Sequence, residues 1–355
     1  MFRIEMLPAG HGDCLWIEFG DPKAPRRVLI DGGAVGTYKR ALRERLRGLP
    51  ENERRFELLV VTHIDADHIT GILELLEDSE TRFQARDIWF NGFRHLPDEK
   101  PETLGPVQGE RLTDLLVKRP WNREFKEAAV VVQADGDLPR LQLEGGLILT
   151  LLSPTPGKLA DLKPEWEKEV RKAGLDPSQP RPGEVGSTEG FELLGSPDVE
   201  ALAAEAFSED SAKANGSSIA LLAEFEGRRL LLTGDAHPGI MTAAIKRLAG
   251  GSRLAVDACK LPHHGSKANV NRQFLQALDC RKWLFSTNGA YFRHPDRQTV
   301  ARVIKWGGAQ PELCFNYRTQ YNDVWDGKPL REQYSYKVSY PASDAEGEGI
   351  VLEWH

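Results

Sequence analysis

A layered α/β fold is what this sequence predicts, on three observations. Apolar stretches with strand-like alternation recur between stretches of helical spacing, 355 residues with 40% hydrophobic content suffice for a sizeable core, and no internal repeat or low-complexity tract breaks the rhythm. The elements follow in order. "MFRIEMLP", "CLWIEFG" and "RRVLIDGG" read as strands. "LLVVTH" reads as a buried strand, and "ITGILELLE" as a helix because its apolar residues fall at i, i+3 and i+4. "ARDIWFNG" is the next strand, "GERLTDLLVK" a helix, "AAVVVQADG" strand-like and "LILTLLSP" a further strand. From Pro154 to about Ala214 the chain turns Pro-, Gly- and charge-rich without a fixed apolar period, which marks residues 155–213 as an insertion, partly helical and partly loop. "SSIALLAEFEGRRLLLTGDA" then reads as two strands around the turn-like "FEGRR". "GIMTAAIKRLAG" is a helix closing on glycine, "ACKLPHHGSK" and "KWLFSTNG" follow, and "DRQTVARVIKW" is a helix. Residues 1–355 are expected to form one domain, with 306–355 as a C-terminal extension.

Composition narrows the function classes. A formal net charge of −7 argues against a surface built to coat nucleic acid, because counterion-release binding needs clustered Lys and Arg. One segment departs from the mean. Tyr38 to Arg55, "YKRALRERLRGLPENERR", carries arginines at helical spacing, either a basic face for a phosphate chain or a solvated amphipathic helix. Cys14, Cys259, Cys280 and Cys314 lack CxxC spacing and read as buried free thiols. The opening "MFRIEMLPAGHGD" has no basic segment followed by an apolar one, and no run reaches membrane-spanning length. A cytoplasmic protein without a membrane segment is expected.

The chemistry gathers at strand ends. In "VVTHIDADHITGI", His63, Asp65, Asp67 and His68 lie between a strand and a helix, so imidazoles and carboxylates converge on one tight turn. Those are ligand types of Zn, Mn and Fe sites. A chance polar cluster would stand alone. Here "LLLTGDAHP" places Asp235 after another strand, and "LPHHGSK" places His263 and His264 after a third.

In that order, "THIDADHITG", "LLLTGDA" and "LPHHGSK" resemble the metallo-β-lactamase fold superfamily, most closely its ComEC-like branch, the metallohydrolase domain of DNA-uptake competence proteins. "GHGDC" (Gly10 to Cys14), "LIDGG" (Leu29 to Gly33) and "FRHPD" (Phe292 to Asp296) also look like that branch's motifs. The matches run from the N-terminus to about residue 305 and leave the insertion and the last fifty or so residues uncovered. The resemblance implies a four-layer αββα sandwich with metals held by loops at one edge. It implies two divalent ions, Zn or Mn, one served by His63 and Asp65, the other by Asp67, His68 and His264, with Asp235 bridging. His263 is not separated from His264 by sequence. Asp65 replaces the second histidine of the superfamily's usual His-x-His-x-Asp-His, a harder donor that favours Mn.

One departure matters. Superfamily members supply another histidine between these motifs, and none occurs here between His95 and His237. Asn215, with Ser217, stands in roughly that place as a weak ligand or substrate contact. His95 reads as a surface or internally satisfied histidine. Asp13 and Asp31 are expected to buttress ligands. Ser266 and Lys267 are placed to meet an anionic substrate. Asp67 or Asp235 would orient a metal-activated hydroxide, and His294 either donates a proton or holds a phosphate, or is simply a helix-start histidine beside Pro295.

These residues imply a metal-dependent hydrolase of phosphodiesters, with single-stranded nucleic acid or a nucleotide-like ester as substrate. The competence proteins' transmembrane channel segments are absent, so a role in uptake does not carry over. The acidic balance and the lack of an interleaved aromatic and basic stripe weigh against long nucleic acid. A carbonyl ester, lactam or thioester hydrolase of the same fold is the alternative. A third reading is a metal-stabilised module that binds a protein partner through the insertion or the aromatic, polar tail "CFNYRTQYNDVWD".

Overall fold

The computed structural model describes residues 1–96, 107–172, 197–343 and 347–354. Strands β1 (Phe2–Met6), β2 (Leu15–Phe19), β3 (Arg26–Ile30), β4 (Arg55–Val60) and β5 (Gln84–Trp89) form a six-stranded sheet with β14 (Ile350–Trp354), in the order β14-β1-β2-β3-β4-β5. An eight-stranded sheet holds β6 (Arg140–Gln142), β7 (Ile148–Ser153), β8 (Ala220–Phe225), β9 (Arg228–Leu232), β10 (Leu254–Lys260), β11 (Leu278–Phe285), β12 (Glu312–Phe315) and β13 (Lys337–Ser339), in reverse chain order. Both sheets mix parallel and antiparallel pairs.

Alternation along the strands builds the layers. Phe2, Ile4 and Met6 of β1, with Leu15, Ile17 and Phe19 of β2, join a core shared with β7 to β12 of the facing sheet. The opposite faces, Trp16, Leu29, Phe56, Leu59 and Ile88, pack with Leu46 of helix α1 (Arg43–Gly48), Ile69, Ile72 and Leu76 of α2 (Ala66–Glu77), Leu112 and Leu116 of α3 (Val107–Leu116), and Leu159, Leu162 and Trp166 of α4 (Pro156–Lys172). Beyond the second sheet lie α5 (Val199–Ala204), α7 (Pro238–Leu248), α8 (Arg272–Gln276) and α9 (Arg297–Trp306), while the short α6 (Lys213–Gly216) sits beside α4. Helices, sheet, sheet and helices therefore stack in the expected order.

Two expectations change. The stretch 128–136 forms no strand, because the Asn91 side chain takes both backbone groups of Val130, donating to its carbonyl at 2.9 Å and accepting from its N–H at 2.8 Å. A side-chain amide thus substitutes for a neighbouring strand. The C-terminal extension belongs to both sheets: β12 pairs with β11, and β14 pairs with β1. Its aromatic residues are consumed internally, with Phe315 and Trp325 buried and the Tyr317 hydroxyl accepting from Gly10 N–H at 2.8 Å. Within the insertion, α4 and α5 are helical, α6 begins at its last residue, and residues 173–196 lie outside the described residues. The arginine-rich segment is held by the chain's own acceptors, with Arg45 on Glu5, Arg47 on Glu80, and Arg54 on the carbonyls of Leu49 and Thr81. All four cysteines are free and buried. Among the described residues, no helix is long and apolar enough to cross a membrane.

The topology aims one edge of each sheet at the same place. β3 and β4 run parallel and end together at Ile30 and Val60. β9, β10 and β11 run parallel and end together at Leu232, Lys260 and Leu284. Ile219 N–H to Thr62 carbonyl (2.9 Å) and Ser286 Oγ to Gly12 carbonyl (2.9 Å) tie the two edges. Close backbone approach at this edge excludes side chains, since a Cβ on Gly71 would stand 1.9 Å from the Gly32 carbonyl oxygen. That contact seats the loop after β3 against α2, and so places Asp31 on His68.

Candidate metal centre

Asp31 follows β3, His63 to His68 follow β4, Asp235 follows β9, and His263 and His264 follow β10. Three of these non-glycine residues hold positive φ: Asp31 at 60°, His263 at 48° and His264 at 54°. Left-handed backbone at such residues costs about 1–3 kcal/mol each and persists where surrounding structure enforces it.

Hydrogen bonds assign the tautomer of three imidazoles. Thr62 Oγ1 donates to Asp31 Oδ2 at 2.7 Å, so at His63 Nδ1, 3.0 Å away, it can only accept. His68 Nδ1 lies 2.8 Å from Asp31 Oδ2, and His264 Nδ1 lies 2.9 Å from the Ser286 carbonyl. Each Nδ1 therefore carries the hydrogen, and each Nε2 of the neutral ring carries a lone pair. Those Nε2 atoms are buried and have no hydrogen-bond partner. All three face one atom, Asp235 Oδ2, at 3.9 Å from His63, 3.3 Å from His68 and 3.5 Å from His264. Electron-pair donors crowded on one carboxylate oxygen call for positive charge between them, a metal ion or, without one, protons on the Nε2 atoms.

The carboxylates complete the set. Asp67 Oδ2 lies 3.2 Å from His264 Nε2 and 4.0 Å from His68 Nε2, and Asp65 Oδ2 lies 3.6 Å from His63 Nε2. Asp65 occupies the N-cap position of α2 yet makes no side-chain capping bond, leaving its oxygens for the site. Asp13, His68, Asp235 and His264 offer ligand atoms all within 4.8 Å of one another. Asp13 is also gripped directly by Lys260, and its other oxygen lies 3.3 Å from His264 Nδ1, on the side of the ring away from the free lone pair.

Charge gives the same requirement. Asp13, Asp31 and Asp235 are buried, and one buried cation, Lys260, stands among them, 3.6 Å from Asp235 Oδ1 and donating to the Gly234 carbonyl at 3.1 Å. Burial disfavours a charged His68, yet Asp235, Asp31 and Asp67 outweigh it and raise the imidazole well above its ordinary value; Asp235 and Asp13 do the same to His264. Burial likewise pushes Asp235 up, and His264, His68 and His263 together hold it well below the carboxylate range. In metal-free protein, protons on imidazoles thus neutralise what divalent ions would neutralise. The residues fit Zn, a borderline ion at home with imidazole nitrogen, or Mn, a harder ion at home with carboxylate oxygen.

Other expected residues divide. His263 Nε2 lies 4.0 Å from Asp235 Oδ2, with its side chain 22% exposed. Asn215 is buried, its amide nitrogen 3.2 Å from His263 Nδ1 and its carbonyl oxygen unpartnered. Ser217 does not join, since its hydroxyl donates to the Ala214 carbonyl at 2.6 Å, and the Ser266 hydroxyl accepts from Ala268 N–H. His95 stays away, bonded to Gly92 N–H and the Glu127 carbonyl. His294 is buried, with its ring 5.5 Å from that of His263 and Nδ1 unpartnered; burial, with His263 and His264 beside it, holds it well below the ordinary histidine value. Lys267 is exposed near it, its N–H bonded to Asp296.

Sequence reasoning missed Lys260, Asp210 and an aromatic rim. Lys260 ends β10 and precedes "LPHHG", so its strand-end position was the available signal. Asp210, in the insertion, has no periodicity around it to announce it. At the rim, Tyr291 stacks on His11 with ring centres 5.0 Å apart, Phe292 lies 6.4 Å from His263, both are exposed, and the exposed Arg293 follows.

No protein-family model and no curated protein sequence matches the chain. Among solved structures it is similar to the metallo-β-lactamase fold protein YhfI from Bacillus subtilis, at 10% identity and a TM-score of 0.44, over 99% of this chain and 98% of that one. It is also similar to a diphosphatase from the PhnP family (12%, TM-score 0.40, 100% and 98%) and to the short form of human tRNase Z (11%, TM-score 0.37, 99% and 99%). At such low identity and TM-score, none of their activities passes to this chain.

Proposed function

We propose that this chain is a metal-dependent hydrolase of the metallo-β-lactamase type, ComEC-like in its motifs, that cleaves phosphodiesters with two divalent ions. One observation carries the reading: three buried, tautomer-assigned Nε2 lone pairs converge on a single carboxylate oxygen of Asp235. His63, Asp65 and Asp235 would hold one ion, and Asp67, His68, His264 and Asp235 the other. When bound, such a pair supplies hydroxide at neutral pH and stabilises charge on the oxygens of the attacked phosphorus. Asp67 and Asp235 orient the nucleophile from the buried side. His294, kept neutral, is placed to hold a phosphate oxygen or to pass its N–H proton to the leaving oxygen. Tyr291 and Phe292, stacked on His11 and His294, are exposed, and Lys267 and Arg293 offer cations at the same rim, which supports a nucleotide-like ester over a bare one.

The test is hydrolysis of bis(p-nitrophenyl) phosphate by metal-stripped protein resupplied with Mn or Zn. Turnover is expected to need metal and to fall at least about a thousandfold in Asp235→Ala. Unchanged turnover in the variant would sink the metal mechanism. Hydrolysis of acyl thioesters or lactams alone would move the assignment to carbonyl chemistry.

A further inference from the structure

We infer that Asp210, supplied by the inserted segment, is a positioning residue that makes His263 a ligand of the first ion, in place of the histidine missing between residues 95 and 237; this rests on the metal centre proposed above. Asp210 Oδ2 accepts from Asn215 Nδ2 at 2.7 Å and from Asn269 Nδ2 at 3.0 Å, and Oδ1 accepts from Ala212 N–H at 2.8 Å. The same Asn269 nitrogen donates to the Asp235 backbone carbonyl at 3.2 Å. Both of its partners can only accept, so the amide has one allowed orientation. Its oxygen must face His263 Nδ1, and does so at 3.0 Å. His263 Nδ1 also has the Asn215 amide nitrogen 3.2 Å away, but that nitrogen donates to Asp210 at 2.7 Å, whereas the closer Asn269 oxygen and Asp210 Oδ2, at 3.5 Å, can only accept; the hydrogen therefore sits on His263 Nδ1, and Nε2 keeps its lone pair.

That lone pair is aimed at the centre. His263 Nε2 and Asp235 Oδ2 are 4.0 Å apart, too far for a hydrogen bond and at the outer limit of what one ion can span, since two ligands with bonds of ~2 Å cannot stand more than about 4 Å apart. His63 Nε2 stands 3.9 Å from the same oxygen and 3.6 Å from Asp65 Oδ2. His63, Asp65, Asp235 and His263 are then four donors around the first ion, without recourse to Asn215. The segment bearing Asp210 is pinned on both sides, by Asp210 N–H to the Ala268 carbonyl (3.0 Å) and by His237 Nε2 to the Ala212 carbonyl (3.0 Å). The segment around Asp210 is therefore part of the site.

Asp210→Asn tests this with almost no change of shape. It replaces one of the two obligate acceptors that fix the Asn269 amide by a group that can also donate, leaving only the Asp235 carbonyl to hold the amide, and so weakens the preference that keeps the His263 hydrogen on Nδ1. Full-length, metal-stripped protein would be titrated with Mn by calorimetry, with paramagnetic resonance reporting spin coupling between ions. Wild type is expected to bind two coupled ions. Asp210→Asn and His263→Gln are each expected to bind one ion as before and the other 10–100-fold more weakly, with the coupled spectrum lost. Should Asp210→Asn fail to fold, Asn269→Ala removes the same acceptor and carries the test. Two ions bound with wild-type affinity in Asp210→Asn, or in His263→Gln, would overturn the inference. Two-ion binding in wild type without turnover of any ester would sink the hydrolase reading and leave this one standing.

Discussion

The two halves of the candidate centre are built differently. On one side His68 and His264 have fully buried side chains, braced by Asp31 and by the Ser286 carbonyl, groups at the ends of core strands. On the other side Asp65 is 31% exposed and His263 22% exposed, and His263 is braced by Asn269 and by Asp210 from the insertion. The buried half is organised by the sheets themselves and the open half by a peripheral addition. Low dielectric strengthens every contact in the first, whereas solvent screens the second. The open half is then where affinity and metal preference are easiest to change.

Breaking the buried half should have the larger effect. In Asp31→Asn the carboxylate that accepts from Thr62 N–H, Thr62 Oγ1 and His68 Nδ1 becomes an amide with one oxygen, so His68 is freed to place its hydrogen on Nε2. Metal affinity on that side is expected to fall about 100-fold, toward the upper end of such outer-ligand effects, as read by calorimetry with Zn. Affinity unchanged within twofold would show that the brace does not set the tautomer.

The open half should respond by changing preference more than by losing its ion. Asp65→His replaces a hard oxygen with an imidazole nitrogen at the rim, and is expected to shift the ratio of Zn to Mn affinity about tenfold toward Zn. Competitive metal titration reads this directly. An unchanged ratio would place Asp65 outside the coordination sphere.

The smallest expected effect lies outside both halves. Burial, with the Arg94 cation beside it, lowers His95 from 6.5 to about 4, so the folded chain resists its protonation. The unfolded chain takes up that proton first, hence stability is full above about pH 6.5 and declines as pH falls toward about 4. In His95→Gln the drop in urea midpoint between about pH 7.5 and about pH 5 should be smaller than in wild type. An equal drop would assign acid sensitivity to the carboxylate and histidine centre alone.

Much of the fold and of the buried half was legible in the sequence, because both rest on short-range patterns. Alternation and, at β4, a continuous apolar run marked β1 to β5 and β7 to β9, and four ligand-type residues within six positions after β4 marked the turn that presents them. The strand expected at 128–136 failed because alternation does not say whether a neighbouring strand or the Asn91 amide will satisfy the backbone. The short strands β6, β12, β13 and β14 went unseen because three to five residues beside a long core sheet need little pattern of their own.

By itself the sequence determined which chemistry could assemble: imidazoles and carboxylates at the ends of successive buried strands, positions that side-chain alternation and strand length dictate locally. Only the tertiary structure decided which atoms meet. Lys260 reaches Asp13 across 247 positions of sequence, and Asp210 reaches His263 from a segment without periodicity. The two adjacent histidines, indistinguishable as letters, part ways because one Nδ1 faces the Ser286 carbonyl and the other the Asn269 amide. Tautomer and partner depend on hydrogen bonds between residues distant in sequence, and those bonds exist only once the two sheets have packed.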